Sequence, residues 1–267
     1  MDKVVLVTGA SSGIGKAIAE VLARNGFVVY AASRSGSCAR AERLIPVSMD
    51  VRVESSVMQC MNEIELQHGK LYAVINSAGL GMIGALEDSS SEDLREVFET
   101  NVMGVHHVCR QALPLLRQSA NSYIINITSM AAQMGLPFRG VYCSSKFAVE
   151  GYSEALSQEV RADGIHVVIL EPGDVRTSIN ANRKMAAMRS KRHGELFNQI
   201  NEQVNCEVDR GMNPEEIASE VLRILSLNSP RLRYRIAPFK VKLAYFLMRF
   251  LPDRFFESII MRHYGMK

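Results

Sequence analysis

A tyrosine and a lysine four residues apart, Tyr142 and Lys146, are the pair in this 267-residue sequence best suited to moving a proton. Side chains at i and i+4 share one face of a helix. A free phenol titrates near pKa ~10. A cation held beside it favours the phenolate and lowers that value, so the pair reads as a general acid/base tuned toward working pH. Ser129 lies upstream of the tyrosine, just after the apolar run Ile124-Ile125-Asn126-Ile127. That places a hydroxyl at the carboxyl end of a strand, where open α/β sheets bind ligands. Spacing alone does not separate this reading from an exposed helix whose tyrosine lies on the core. The amino terminus does.

Val4-Val5-Leu6-Val7 is a continuous apolar run of the kind expected of a strand buried on both faces. It leads directly into Thr8-Gly9-Ala10-Ser11-Ser12-Gly13-Ile14-Gly15. A helical stripe of Ile14, Ala17, Ile18, Val21 and Leu22 follows. Strand, glycine turn and helix are the context a dinucleotide site requires. Free backbone N–H groups and the positive dipole end attract a pyrophosphate, and glycine lets the backbone come close. The spacing is Thr-Gly-x-x-x-Gly-x-Gly rather than G-x-G-x-x-G.

With this turn, Tyr142-x-x-x-Lys146 and Ser129, the chain resembles the short-chain dehydrogenase/reductase family over roughly residues 3–180. The stretches Gly135–Phe138 and Tyr142–Ala148 look closest to its hydroxysteroid and retinol dehydrogenase branch. The resemblance implies an α/β fold: a single Rossmann-type, doubly wound parallel sheet of about seven strands with helices on both faces. A C-terminal helical extension would follow. It also implies that Gly9, Ser11, Ser12, Gly13, Ile14 and Gly15 hold the pyrophosphate, and that Asp50 and Val51 meet the adenine. Asn76, Ala78 and Gly79 of Asn-Ser-Ala-Gly would brace the sheet and pass the ribose; Ser77 departs from the family's second asparagine. Pro172, Gly173, Val175 and Thr177 would turn under the nicotinamide and bond its amide, and Tyr142 and Lys146 would reach its ribose. Ser33 stands at the acidic position that reads a ribose 2′-OH, and Arg34 follows it. An arginine there accommodates a 2′-phosphate, to which Ser12 of the glycine turn would add a hydrogen bond, so NADP(H) is the expected cofactor.

Asn101 falls mid-helix, against its propensity. The resemblance makes it the fourth catalytic residue, one that distorts the helix and holds a water linked to Lys146. Catalysis is then expected from Ser129, Tyr142, Lys146 and Asn101. Tyr142 would protonate a forming alkoxide that Ser129 stabilises. Loops carrying Leu80, Met82, Ile83, Met134, Leu136, Phe138 and Met185 suggest an apolar pocket, with Met134 and Phe138 beside Ser129 and Tyr142. The expected substrate is a lipophilic ketone or secondary alcohol, hydroxysteroid-like. The alternatives are a 3-oxoacyl thioester reductase and a non-catalytic NADP(H)-binding regulator.

Residues 178–213 break the strand–helix pattern and are expected to form the substrate lid, with Ala186-Ala187-Met188 and Leu196-Phe197 as short apolar marks. Pro214-Glu215-Glu216 starts a helix, and Arg233–Ala237 reads as the last strand. From Pro230 onward nine Lys/Arg stand against two Asp/Glu, interleaved with aromatic and apolar residues. Such a basic amphipathic stretch suits a peripheral membrane contact through 230–267. A helix pair closing over the substrate cleft, or against another subunit, suits it better because of the aromatic count. The apolar stripe around Val105–Leu116 fits the family's subunit contact, so a homodimer or homotetramer is expected.

Net charge of +3, with no arginine-rich arm, excludes a nucleic-acid partner. His106 and His107 lack companions at ligand spacing, so no metal is expected and a surface or interface position suits them. Cys38, Cys60, Cys109, Cys143 and Cys206 are scattered and odd in number, which suits free thiols in a reducing, cytoplasmic setting. Cys143 reads as a small packing residue. Neither a secretory leader nor a membrane span is apparent.

Overall fold

Short β-branched runs ending in glycine turns form the sheet that carries everything else. In the computed structural model, residues 2–37, 41–186, 191–248 and 250–266 are described. Cys38, Ala187 and Met188 lie outside them, as do Arg249 and Lys267 of the basic tail. Seven parallel strands are β1 Val4–Thr8, β2 Val28–Ser33, β3 Leu44–Ser48, β4 Ala73–Asn76, β5 Ser122–Ile127, β6 Ile165–Pro172 and β7 Arg233–Ile236. Their order is β3-β2-β1-β4-β5-β6-β7. The order reverses between β1 and β4, and a crevice opens there at the carboxyl ends of the strands.

β1 is buried at all five positions because it is covered on both sides. Val4 and Leu6 join one core layer with the inner faces of α2 (Glu54–His68), α4 (Gly104–Leu116) and α5 (Gly140–Glu159). Val5 and Val7 join the other, under α1 (Gly13–Arg24) and the helix Pro214–Ile224. The period-two alternation of a strand thus feeds two helical layers.

Local chemistry sets the helix ends. Ser90 and Asp93 form a reciprocal capping box at α3 (Ser91–Phe98). Asn213 caps the Pro214–Ile224 helix, with Pro at its first turn. Between α3 and α4 the chain makes a five-residue π-turn, Glu99–Met103, centred on Asn101. The extra residue per turn re-aims the asparagine inward. His106 and His107 are half-buried and spoken for within the chain, at Tyr152 and at the Val51 carbonyl.

Residues 178–213 contain regular elements. Met82–Ile83 and Lys184–Met185 pair as a small second sheet, and α6 runs over Gly194–Asp209. Its inner stripe is Phe197, Ile200, Val204 and Val208. One apolar residue per turn amid asparagine, glutamine and glutamate left too weak a pattern for the sequence to reveal. The tail forms two helices, which, after the Pro214–Ile224 helix (α7), are α8 Phe239–Met248 and α9 Asp253–His263.

Candidate active site

The cleft at the β1/β4 reversal has a volume of about 760 Å³ and is lined by the glycine turn, Ser33, Arg34, Asp50, Val51, Ala78, Gly79, Tyr142, Lys146 and Thr177. The turn itself suits a dinucleotide. Gly9 sits at φ +68°, and a Cβ there would lie 2.8 Å from the Ala78 backbone. A Cβ on Gly15 would lie 2.4 Å from the Gly9 carbonyl oxygen. Only bare backbone fits, which leaves the α1 amino terminus open to an anion. Thr8 braces the turn: its hydroxyl accepts from the N–H groups of Ser77 (3.1 Å) and Ala78 (3.0 Å). Sequence reasoning left Thr8 out of the site, although a threonine opening the glycine motif was the available signal.

Ser11, Ser12, Gly13 and Ile14 line the cleft, and exposed Arg34 stands at its far end. The Asp50 carboxylate is held by Arg52, with Nη2 to Oδ2 at 2.6 Å, which keeps its pKa below the usual carboxylate range. Other expected contacts fall elsewhere. Asn76 is buried and does not line the cleft; its amide donates to Asn126 Oδ1 at 2.8 Å and ties β4 to β5. Pro172, Gly173 and Val175 lie at the β6 end without lining the cleft; the Gly173 N–H is spent on the Ile236 carbonyl (2.8 Å) and Val175 is buried.

Tyr142 and Lys146 do share one face of α5. The Lys146 ammonium stands 5.8 Å from the Tyr142 ring centre and donates to the Ile127 carbonyl at 3.0 Å. The expected lowering of the phenol is reversed: burial pushes Tyr142 above its ordinary value, with Ser129 and Arg139 working against the rise. The same burial lowers Lys146 to about 8. The protein alone therefore holds a protonated phenol, the form that donates a proton. Ser129 is half-buried and turns its hydroxyl over the start of a short helical turn, where it accepts from Ala131 N–H at 3.1 Å.

Asn101 is 1% exposed. Its side chain accepts from Leu80 N–H (2.7 Å) and donates to Leu80 C=O (3.0 Å) and Ser145 Oγ (2.9 Å). It pins the loop after β4 to α5, one residue before Lys146. A Cβ on Gly79 would lie 3.5 Å from Asn101 Oδ1 and 3.7 Å from Lys146 Nζ, so both side chains border the same small gap.

Of the residues expected around an apolar pocket, Leu80 lines the cleft, while Met134 and Phe138 pack outside its lining. Phe138 does not line the cleft; its ring meets Phe197 (5.7 Å) and His193 (5.8 Å) and, with Leu136, carries α6 and the end of α9. Its φ of +56° is the one positive value of a non-glycine residue among the described residues, a strain of ~1–3 kcal/mol held by these contacts. Met134 packs with Met130, Ala237 and Tyr245 beside the Ser129 turn. Polar groups also crowd this end. Arg139, just before α5, donates to the Tyr264 hydroxyl, and Arg183 donates to Asn180 Oδ1. Behind α5, Glu171 is fully buried between Arg233 Nε (2.5 Å) and Arg235 Nε (2.6 Å), and Gln133 bridges it to Glu150. That network fastens β7 and the Ser129 turn to the catalytic helix.

Fold and cleft together define a dinucleotide-dependent oxidoreductase. The family model described as short chain dehydrogenase matches residues 3–187, and the chain belongs to that family. It is 33% identical to a 3-ketodihydrosphingosine reductase of Bacteroides thetaiotaomicron, over 99% of each chain. It is 32% identical to an NADPH-dependent 3-dehydrocapnine reductase of Ornithobacterium rhinotracheale, covering 95% of this chain and 94% of that one. Among solved structures, a short-chain dehydrogenase of Streptomyces avermitilis superposes with a TM-score of 0.81 at 27% identity, covering 99% of this chain and 98% of the other.

Proposed function

We propose that this chain reduces a lipophilic ketone to a secondary alcohol with NADPH, and that the ketone belongs to a long-chain lipid rather than a steroid. The observation that carries the reaction is the pair Tyr142 and Lys146 on one face of α5, both lining the cleft, with the Ser129 hydroxyl beside the phenol. The relatives named for 3-ketodihydrosphingosine and 3-dehydrocapnine support a lipid substrate. Arg34 and Ser12 at the far end of the cleft support a 2′-phosphate.

Bound in the cleft, the cofactor supplies a hydride to the ketone carbon. Tyr142 gives its phenolic proton to the oxygen of that carbonyl. Ser129 donates a hydrogen bond to the same oxygen as negative charge develops there. Lys146, charged below about pH 8, favours the phenolate left behind. Asn101 positions α5 against the Leu80 loop through its three hydrogen bonds. In this reading residues 178–213 and the tail from 230 cover the substrate. NADPH and NADH oxidation against long-chain ketones, steroids and acetoacetyl thioesters, with Tyr142→Phe alongside, tests it. The expected outcome is NADPH-dependent turnover of the long-chain ketones, lost about 10²–10⁴-fold in Tyr142→Phe while cofactor binding persists. Turnover confined to thioesters or steroids would sink the lipid assignment, and tight NADPH binding without any turnover would sink the enzymatic one.

A membrane-surface reading of the tail is favoured by what α8 and α9 leave uncovered. Tyr245 and Tyr264 point inward, but Phe239, Leu243, Phe246, Leu247, Phe255 and Ile259 are exposed. Lys240, Lys242, Arg254 and Arg262 stand among them, so an anionic bilayer is the matching surface. No helix among the described residues is long and apolar enough to cross a membrane. Full-length protein should co-sediment with phosphatidylserine vesicles more than a chain ending at Ser229; equal sedimentation removes this reading. Exposed Met103 and Phe147 flank α4 and α5 and support pairing of two copies there, which sedimentation velocity would detect as a dimer or tetramer.

A further inference from the structure

The stripe of α5 that carries Tyr142 and Lys146 continues at the same four-residue spacing to Glu150. Its carboxylate is buried, with the residue 5% exposed, and does not line the cleft. A buried carboxylate is costly unless its oxygens are paired. Glu150 pairs both, and two of its partners flank Ser129. Oε1 accepts from the Thr128 hydroxyl at 3.0 Å. Oε2 accepts from the Gln133 side-chain amide at 3.0 Å and from Arg233 Nη2 at 2.7 Å.

Thr128 and Gln133 bracket one short turn. Ser129 caps the helical turn Met130–Ala132, and Gln133 closes it. Inside, the Ala131 N–H donates to Ser129 Oγ (3.1 Å) and the Ala132 N–H to the Ser129 carbonyl (2.9 Å). The Gln133 N–H donates to the Met130 carbonyl at 3.1 Å. The serine therefore rides on a closed turn that is bonded on both sides to one carboxylate. On the sheet side, the Thr128 N–H donates to the Leu170 carbonyl at 2.9 Å. The second amide proton of Gln133 meets Glu171 Oε1 at 3.3 Å, and Arg233 and Arg235 close on that acid. Glu154, one turn further along α5, also accepts from Arg233 Nη2 at 2.7 Å, and from no described residue of the Ser129 turn.

A hydrogen-bond donor to a developing oxyanion helps most when it is already aimed as the charge appears. Misplacing it by about 1 Å costs on the order of 10²-fold in rate. Ser129 and Tyr142 must converge on one carbonyl oxygen, yet they lie on different segments, after β5 and at the start of α5. Lys146 ties the two segments at the Ile127 carbonyl (3.0 Å), ahead of the serine. Glu150 holds the serine's own turn, before it and after it. We infer that Glu150 is a positioning residue that registers the Ser129 hydroxyl with the Tyr142 phenol, through Thr128 and Gln133. This rests on the ketone-reductase reading above and deepens it.

The test uses the full-length chain, NADPH and a long-chain 3-ketone, with single-turnover NADPH oxidation for slow variants. Glu150→Gln turns an amide donor toward the donors of Gln133 and Arg233. Its kcat should fall about 10- to 100-fold while ketone KM and NADPH Kd stay within about twofold. Thr128→Val should lose about tenfold in kcat, and Thr128→Ser should restore the rate. Glu154→Gln, which loosens only the Arg233 tie, should leave kcat unchanged. Ser129→Ala supplies the discriminating background. There Glu150→Gln should cost less than about twofold more, because the group it aims is gone. A second loss as large as the first would mean that Glu150 acts on the fold at large, and would overturn the positioning role. Unchanged kcat in Glu150→Gln would overturn it too. If Glu150→Gln does not fold, the same cycle with Thr128→Val decides. Wild type that reduces no ketone would overturn the ketone-reductase reading as well, whereas an active wild type with additive losses overturns the positioning role alone.

Discussion

The cofactor half of the molecule and the substrate half are built on opposite terms. Around the glycine turn, backbone meets backbone: Gly15 leaves no room for a methyl group, and Thr8 spends its hydroxyl on two N–H groups of the neighbouring turn. Around the substrate end, side chains contributed by distant segments meet each other. Arg139 of the catalytic loop reaches Tyr264 near the C-terminus, and Phe138 is held in a strained conformation by Phe197 of α6. One half recognises a shape common to all dinucleotides, so a short contiguous motif suffices. The other half must fit one particular substrate, and its parts come from wherever the fold brings them.

The comparison can be broken most sharply at Gly15. Gly15→Ala forces a Cβ to 2.4 Å from the Gly9 carbonyl oxygen, which should cost about 1–3 kcal/mol of stability and the cofactor site with it. Urea denaturation and NADPH fluorescence titration read the two effects. An unchanged NADPH Kd would mean the turn has slack, and the contrast between the halves would dissolve. Arg34→Ala should act on cofactor choice alone. The preference for NADPH over NADH falls about 10- to 100-fold, while the ketone KM is unmoved. A variant as NADPH-selective as wild type would remove Arg34 from the site.

A pH-dependent effect lies at the seam, on Lys146. Its folded pKa of about 8 is below its unfolded value, so the buried charge destabilises the fold fully below pH 8. That cost fades as pH rises from 8 toward the unfolded value of ~10.4. Cofactor affinity should move the other way, weakening by up to about tenfold per pH unit above 8 as the ammonium is lost. Lys146→Met should bind weakly with no pH dependence in that window. A wild-type NADPH Kd that stays flat from pH 7 to 10 would mean that Lys146 does not titrate there.

The sequence by itself determined the sheet, the glycine turn and the placement of Tyr142 and Lys146 on one helical face. Those are set by short-range physics: β-branched runs, positive φ and the i, i+4 spacing. It also carried Asn101 as a residue out of place in a helix, although not the π-turn that accommodates it. Only the tertiary structure decided the direction of the Tyr142 shift, because desolvation depends on everything packed around a group, and here it outweighs the lowering by the Ser129 hydroxyl and Arg139. It decided that Asn76 braces the sheet through Asn126 and that Phe138 packs against α6. It alone brought Arg139 to the Tyr264 hydroxyl, joining segments 125 residues apart by a contact that no local pattern records.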